Sequence, residues 1–382
     1  MFRAIGSLFV VRHLPAVWMG TMRVRPGKQL TLLPSISDDA GTRLPVLDQR
    51  ARGTRFIELS VRSVLNSPAS THMGFWSINP YVGCEFGCTY CYARDTHKWT
   101  VERAVGRKGG KNDTVPPYRP SALPPEEAFE KEILVKSDVA GVLARTLNPA
   151  RLAGQSLVIG TATDPYQPAE RRFRLTRSIL EVLCAYRELS IEIITKSPLV
   201  IRDLEVLQAL SRHNEVNVNI SLATADPRLA RRLELRSPVP GARLRALRRL
   251  TEGGVYAGLI VAPIIPGITD DWAGLARLME AAKEAGARYV IGSALRLGPA
   301  ARRRFLPVLE REFPALYERY RRHYAGSDMT SRSYQDALTR RLNALRQAYG
   351  FAGDEASNRR RRRLEASSRE VPLPQAEQAA LL

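Results

Sequence analysis

Three of the chain's four cysteines, Cys84, Cys88 and Cys91, fall within eight residues in the spacing C-x3-C-x2-C, and the fourth, Cys184, is far away. Gly83 and Gly87 let the backbone curl tightly, so three thiolates can converge on one inorganic object. Tyr90, directly before the third cysteine, can lay a ring against whatever is bound there. Three protein ligands with no obvious fourth leave a metal position open, which marks chemistry rather than scaffolding. A rival reading comes from His97, which follows Cys91 at C-x5-H and completes a Cys3His zinc set. Zinc knuckles sit in small modules, whereas this loop heads a long chain.

At 382 residues with 44% hydrophobic content, the chain can hold one large or two ordinary domains with a sizeable core. Its longest apolar run, Ala257 to Gly267, is broken by Pro263 and Pro266, so no membrane span is expected. Four cysteines, three of them in one loop, are not a disulfide framework, which places the chain in a reducing cytoplasm. A net charge of +20 admits nucleic acid as substrate or partner. Arginine is favoured throughout, however, and much of the excess belongs to solvated helix faces.

Residues 1–70 show no sustained periodicity. Met1 to Pro34 lacks acidic residues and carries Arg3, Arg12, Arg23, Arg25 and Lys28, which fits a transit peptide or an upstream extension with Met19 or Met22 as alternative starts. Trp76 to Tyr81 reads as a strand delivering the cysteine loop, and Lys98 to Pro125 as a solvated connection. A helical pattern runs from Pro125 toward Leu147, interrupted around Ile133–Val135. Strands at 157–161, 191–195, 216–222, 255–265 and 289–294 then alternate with helices at 174–187, 203–212, 243–251 and 270–285. Six apolar strands alternating with helices specify a parallel sheet, wound as an open barrel or a doubly wound sheet. Beyond Pro299, Pro307 and Pro314 punctuate two short helices carrying Arg302–Arg304, Arg319, Arg321 and Arg322. Ser333 to Tyr349 is an amphipathic helix, and together these read as a buttress over an open barrel edge. The expected division is an N-terminal extension (1–70, partly disordered), a core (71–298), a helical extension (299–351) and a disordered basic tail (352–382) with Arg359–Arg363.

The cysteine loop resembles the cluster-binding loop of radical S-adenosylmethionine (SAM) enzymes, which use this spacing with an aromatic residue before the third cysteine. The resemblance covers roughly residues 74–296 and implies a six-stranded partial (β/α)6 barrel. It implies that Cys84, Cys88 and Cys91 hold three irons of a [4Fe–4S] cluster while SAM chelates the fourth. One electron, from an external low-potential donor, would cleave SAM to a 5′-deoxyadenosyl radical that abstracts hydrogen from the substrate. The non-catalytic alternative is a zinc-dependent nucleic-acid-binding protein using Cys84, Cys88, Cys91 and His97.

Functional residues in such folds gather at the C-terminal ends of strands. After the second strand, Thr163 and Asp164 stand where radical SAM enzymes commonly place Gly-Gly-Glu, and they resemble instead the spore photoproduct lyase-like branch. That branch also implies Lys196 after the third strand for the SAM carboxylate, Ser221 at the fourth strand near SAM, and Tyr92 as a radical relay. Read as residues alone, Thr163 and Asp164 can close a turn, and Lys196 and Ser221 can be solvated strand ends. The fifth strand, Gly258 to Gly267, would flank adenine or pack the core. Arg296, after the sixth, is a candidate for a substrate anion. Thr161 occupies the place of that branch's hydrogen-donating cysteine, and Cys184 is expected in the core beside Leu180 and Leu183.

Overall fold

Short runs of aliphatic and β-branched residues, each bounded by glycine, proline or a capping side chain, leave the chain one economical solution: parallel strands joined by helices that cover one face. The computed structural model describes residues 46–49, 53–71, 73–97 and 123–351. The strands in chain order are β1 (Val46–Gln49), β2 (Arg55–Glu58), β3 (Leu65–Asn66), β4 (Trp76–Ile78), β5 (Tyr81–Val82), β6 (Glu132–Val135), β7 (Ser156–Ile159), β8 (Ser190–Thr195), β9 (Glu215–Ser221), β10 (Tyr256–Ile264) and β11 (Val290–Ala294). The larger sheet has the order β11-β10-β9-β8-β7-β4-β3. Its six strands from β4 to β11 are parallel and adjacent in chain order, with Trp76 opposite Leu157, Leu157 opposite Ile191 and Leu259 opposite Val290. Among the described residues only the two-residue β3 runs antiparallel in this sheet, and β3 and β11 are its edges, so the barrel is partial.

Helices Leu175–Leu183, Leu204–Ser211, Pro240–Glu252 and Trp272–Glu284 connect successive strands. Each presents an apolar stripe to the sheet; Leu175, Ile179, Leu180 and Leu183 of the first are buried at helical spacing. Cys184 caps that helix and is exposed, contrary to the core placement expected of it. The helix ends at Leu183, and the next position rotates off the buried stripe.

Three further departures share a cause. The strand expected at 76–81 is two strands, β4 and β5, which belong to different sheets. The interruption near Ile133–Val135 is β6, buried at all four positions. Together with β1 and β2, in a stretch where no periodicity is visible, they build a second sheet of order β1-β2-β6-β5. Strands of two to four residues give periodicity nothing to repeat over. Finally, Pro307 does not end a helix: Pro299–Glu312 runs through it. The missing N–H removes one helical hydrogen bond, and buried Phe305, Val308 and Leu309 hold the segment in place.

The helices Pro299–Glu312, Pro314–Ala325 and Arg332–Ala348 form the expected buttress. The last packs on β11 and on the helix Trp272–Glu284, and the first on the helix Pro125–Lys131, next to the cysteine loop. Among the described residues no helix is long and apolar enough to cross a membrane. The transit-like segment 1–34, most of the connection expected at 98–125 and the tail 352–382 with Arg359–Arg363 lie outside the described residues.

Candidate metal and cofactor site

The chain leaves β4 at Asn79 and Pro80, pairs briefly as β5 and enters the cysteine loop, so the loop lies at the C-terminal end of the first parallel strand. Gly83 and Gly87 both take positive φ (91° and 64°), the curl that their residue type permits. A Cβ on Gly83 would stand 2.8 Å from the Phe129 carbonyl oxygen, which the Cys84 N–H needs for its own 2.8 Å hydrogen bond.

The loop is held from three sides. From the β7 end, Thr163 Oγ1 donates to the Gly83 carbonyl (2.6 Å), and Gln167 Nε2 donates to the same carbonyl (3.2 Å). Gln167 Oε1 accepts from the Glu85 N–H (2.9 Å), while the Glu85 carboxylate accepts from the Ala169 N–H (2.7 Å). From beyond β9, Leu233 accepts from both the N–H and the hydroxyl of Thr89 (3.0 and 2.9 Å), and Arg236 donates to the Glu85 carbonyl (2.6 Å). From the third side, buried Glu130 binds Arg94 (2.5 Å), Arg236 (2.5 Å) and Arg304 of the buttress (3.0 Å). Arg94 in turn donates to the Cys88 carbonyl (2.7 Å). Burial opposes the Glu130 charge, but the three guanidinium groups hold its pKa below the usual carboxylate range.

Cys84 and Cys88 are buried and Cys91 is half-buried. Burial pushes Cys84 well up, with Asp164 and Cys88 adding to it and backbone N–H groups of Phe86 and Asp164 opposing. Cys88 is pushed up to about 11 by burial, against the Lys196 ammonium and a hydrogen bond with Ser237 Oγ at 3.4 Å. Cys91 is raised by burial, with Arg94 and Lys196 opposing. Three soft donors on one loop, with N–H groups and cations directed at their sulfurs, fit a thiolate-ligated iron–sulfur cluster, whose binding would offset the cost of ionising buried thiols. His97 does not face this set. It is buried with its ring edge toward Phe129 and Nε2 at 3.4 Å from the Glu132 carbonyl oxygen, and burial lowers its pKa.

The strand-end residues converge on the same place. Lys196 Nζ donates to Ser221 Oγ (3.1 Å) and lies 5.9 Å from the centre of the Tyr90 ring. The Tyr90 hydroxyl donates to Glu234, which is also paired with Arg243, and Arg243 donates to the Ser221 carbonyl (3.0 Å). Asp164 is fully engaged: Oδ1 accepts from Thr195 Oγ1 (2.7 Å) and the Tyr166 N–H (2.9 Å), and Oδ2 from the Lys196 N–H (2.7 Å). It fastens the end of β7 to the end of β8. Tyr92 is 38% exposed, and its hydroxyl donates to the Thr161 carbonyl. Arg296 is exposed, and its charge reaches Tyr92. Thus Cys84, Cys88, Cys91, Tyr90, Thr163, Asp164, Lys196 and Ser221 share one network. Its other members, Glu130, Gln167, Glu234, Arg236 and Arg243, carry no sequence signal beyond their charge or polarity.

Residues 78–279 match the radical SAM superfamily. An uncharacterised protein of Mycobacterium tuberculosis is 32% identical over 304 residues, covering 79% of this chain and 83% of that protein. Another, from Methanocaldococcus jannaschii, is 26% identical over 271 residues, 69% of this chain and 85% of its own length. Among solved structures, a spore photoproduct lyase variant shares the fold, with a TM-score of 0.50 and 17% identity over 77% of this chain and 79% of that one. The chain belongs to the radical SAM superfamily. It is an enzyme of that class, with a [4Fe–4S] cluster and SAM as cofactors. The zinc-binding, non-catalytic reading is set aside.

Proposed function

We propose that Cys84, Cys88 and Cys91 each ligate one iron of the cluster, and that SAM docks at the remaining iron against the ends of β7, β8 and β9. When bound, the pair supplies one-electron reductive cleavage of a sulfonium C–S bond, giving a 5′-deoxyadenosyl radical that abstracts hydrogen from the substrate. The observation that carries this reading is a three-thiol loop, two of its thiols buried and the third half-buried, with Lys196, Ser221 and Tyr90 gathered beside it. Lys196 offers an ammonium to the SAM carboxylate and Ser221 fixes where that ammonium points. Tyr90 forms a wall of the site, its hydroxyl anchored on Glu234. Thr163 and Asp164 act on SAM through the loop and Lys196, since their side chains already hold Gly83 and the Lys196 backbone. Tyr92, partly open to solvent, is the residue we assign as the radical relay. An external low-potential donor supplies the electron, and the reducing cytoplasm is the compartment that suits the cluster.

The substrate we take to be a nucleic acid, on the net charge of +20 and on the exposed Arg319, Arg321 and Arg322 of the buttress. Anaerobic purification should give iron and sulfide. Dithionite with SAM should then yield 5′-deoxyadenosine. Protein that stays colourless and iron-free after reconstitution overturns the proposal. For the substrate, single-strand affinity should fall steeply with salt as counterions are released, and a flat dependence rules nucleic acid out.

A further inference from the structure

Of the three loop sulfurs, that of Cys88 is met by a side-chain hydroxyl: Ser237 Oγ lies 3.4 Å from Cys88 Sγ. Backbone N–H groups serve the other two, those of Phe86 and Asp164 at Cys84 and that of Ala93 at Cys91. Ser237 is 3% exposed, and among the described residues this sulfur is the sole hydrogen-bond partner of its hydroxyl. Buried hydroxyls find partners in folded proteins, and this one finds sulfur rather than a carbonyl.

The backbone on both sides of Ser237 is pinned. Beyond the helix Pro227–Leu233 the chain runs antiparallel along the cysteine loop. The Thr89 N–H donates to the Leu233 carbonyl (3.0 Å), Glu234 bridges Cys88, and the Arg236 N–H donates to the Phe86 carbonyl (3.0 Å). Just after Ser237, the Pro238 carbonyl accepts from Arg243 Nε (2.7 Å), and Arg243 is itself paired with Glu234. A donor held this way keeps its aim at the sulfur and needs no reorganisation when the charge there changes.

Either atom can donate while Cys88 is a thiol. Once Cys88 ligates iron as a thiolate, its sulfur carries no hydrogen, so the donor is Ser237. Reduction brings in one electron from the external donor, and part of the added charge falls on the thiolate sulfurs. A hydrogen bond to such a sulfur stabilises the reduced cluster more than the oxidised one. We infer that Ser237 tunes the cluster: its hydroxyl donates to the Cys88 thiolate and raises the reduction potential, the proton staying on Oγ throughout. The inference rests on the reading of Cys88 as an iron ligand and adds how the protein eases the entry of the electron.

Full-length protein, reconstituted anaerobically and kept free of SAM, would be titrated with redox mediators while electron paramagnetic resonance follows the reduced cluster. Ser237→Ala should take up the parent's iron and sulfide. Its ratio of reduced to oxidised cluster at a fixed poise should be about threefold to tenfold lower, tenfold being about 59 mV for one electron. Thr89→Val is the control, because it removes a hydroxyl hydrogen bond to Leu233 (2.9 Å) in the same pairing and none to sulfur. Its potential should stay at the parent's value. The inference is overturned if Ser237→Ala keeps the parent's potential or if Thr89→Val shifts as far as it does. It is overturned equally if Ser237→Ala takes up no cluster, since the hydroxyl would then build the loop rather than tune it. A parent protein that takes up no cluster defeats the reading of Cys88 itself, and this inference with it.

Discussion

Two lysines follow strand ends in this protein and meet opposite surroundings. Lys196, after β8, faces Cys88, Cys91 and Glu234; burial pulls its pKa down, but these neighbours more than offset that and raise it. Lys136, after β6 in the small sheet, is buried where Lys196 is half-buried, and among the described residues its hydrogen-bond partner is the Asn79 carbonyl alone, at 2.7 Å. Burial alone lowers it to about 8. The residue type is the same and the local position alike, so the difference lies in which other segments the fold brings near. One ammonium is charged because an anionic site is built around it, and the other is tolerated at a cost.

Removing the anionic half of that contrast should have the largest effect. Cys88→Ser takes away one proposed iron ligand and the thiol nearest Lys196 in electrostatic influence. Iron content after anaerobic reconstitution should drop sharply, and 5′-deoxyadenosine formation should fall below detection. A variant that keeps full iron and turnover would break the assignment.

Lys196→Met tests the cation. The visible absorption of the cluster should persist while SAM affinity weakens, on the order of 30-fold or more for a charged hydrogen-bonded pair that loses one partner. Equilibrium binding under anaerobic conditions measures this, and unchanged affinity would remove Lys196 from the SAM site.

Lys136→Met should act in the other direction and stabilise the fold. At about 1.4 kcal/mol per pKa unit, lowering from 10.5 to about 8 costs about 3 kcal/mol at neutral pH. Here the folded pKa lies below the unfolded one. Between about pH 8 and 10.5 the unfolded chain therefore holds the extra proton, and stability rises with pH across that window. The parent should show that rise in denaturant titrations; the variant should lack it and be more stable below pH 8. Equal stability at all pH values would contradict the buried, unpaired ammonium.

The smallest effect concerns Asp95, four residues past Cys91. Its carboxylate accepts from the Ala300 N–H (2.7 Å) and the Ala301 N–H (3.4 Å), capping the first buttress helix from 205 positions away. Asp95→Ala should cost about 1 kcal/mol in urea denaturation. It should also quicken iron loss in air, which an effect confined to the helix would not do.

What the sequence discloses follows sequence distance. The cysteine loop is legible because its three thiols and its two curling glycines are close together in sequence. Thr163, Asp164, Lys196 and Ser221 are legible because six apolar strands announce where strand ends must be. Glu130, Glu234 and Arg243 are not, because an acidic or basic residue in a helical pattern reads as a solvated face until its partner on another segment is in view. Glu234 shows this: burial works against its charge, but Arg243 and Lys196 hold its pKa below the usual carboxylate range. The small sheet stays hidden for the reason given by β6, whose burial on both faces erases the alternation that would reveal it.

Asp95, Arg304 and the apolar cluster that joins Phe86, Tyr90 and Phe129 to Leu297, Phe305 and Tyr324 tie the cysteine loop to the last helices of the described chain. By thermodynamic reciprocity, whatever tightens one end of such a tether tightens the other. Occupation of the loop should therefore be readable at a distance, as slower amide hydrogen exchange in residues 299–325, and a ligand gripping those helices should in turn steady the loop.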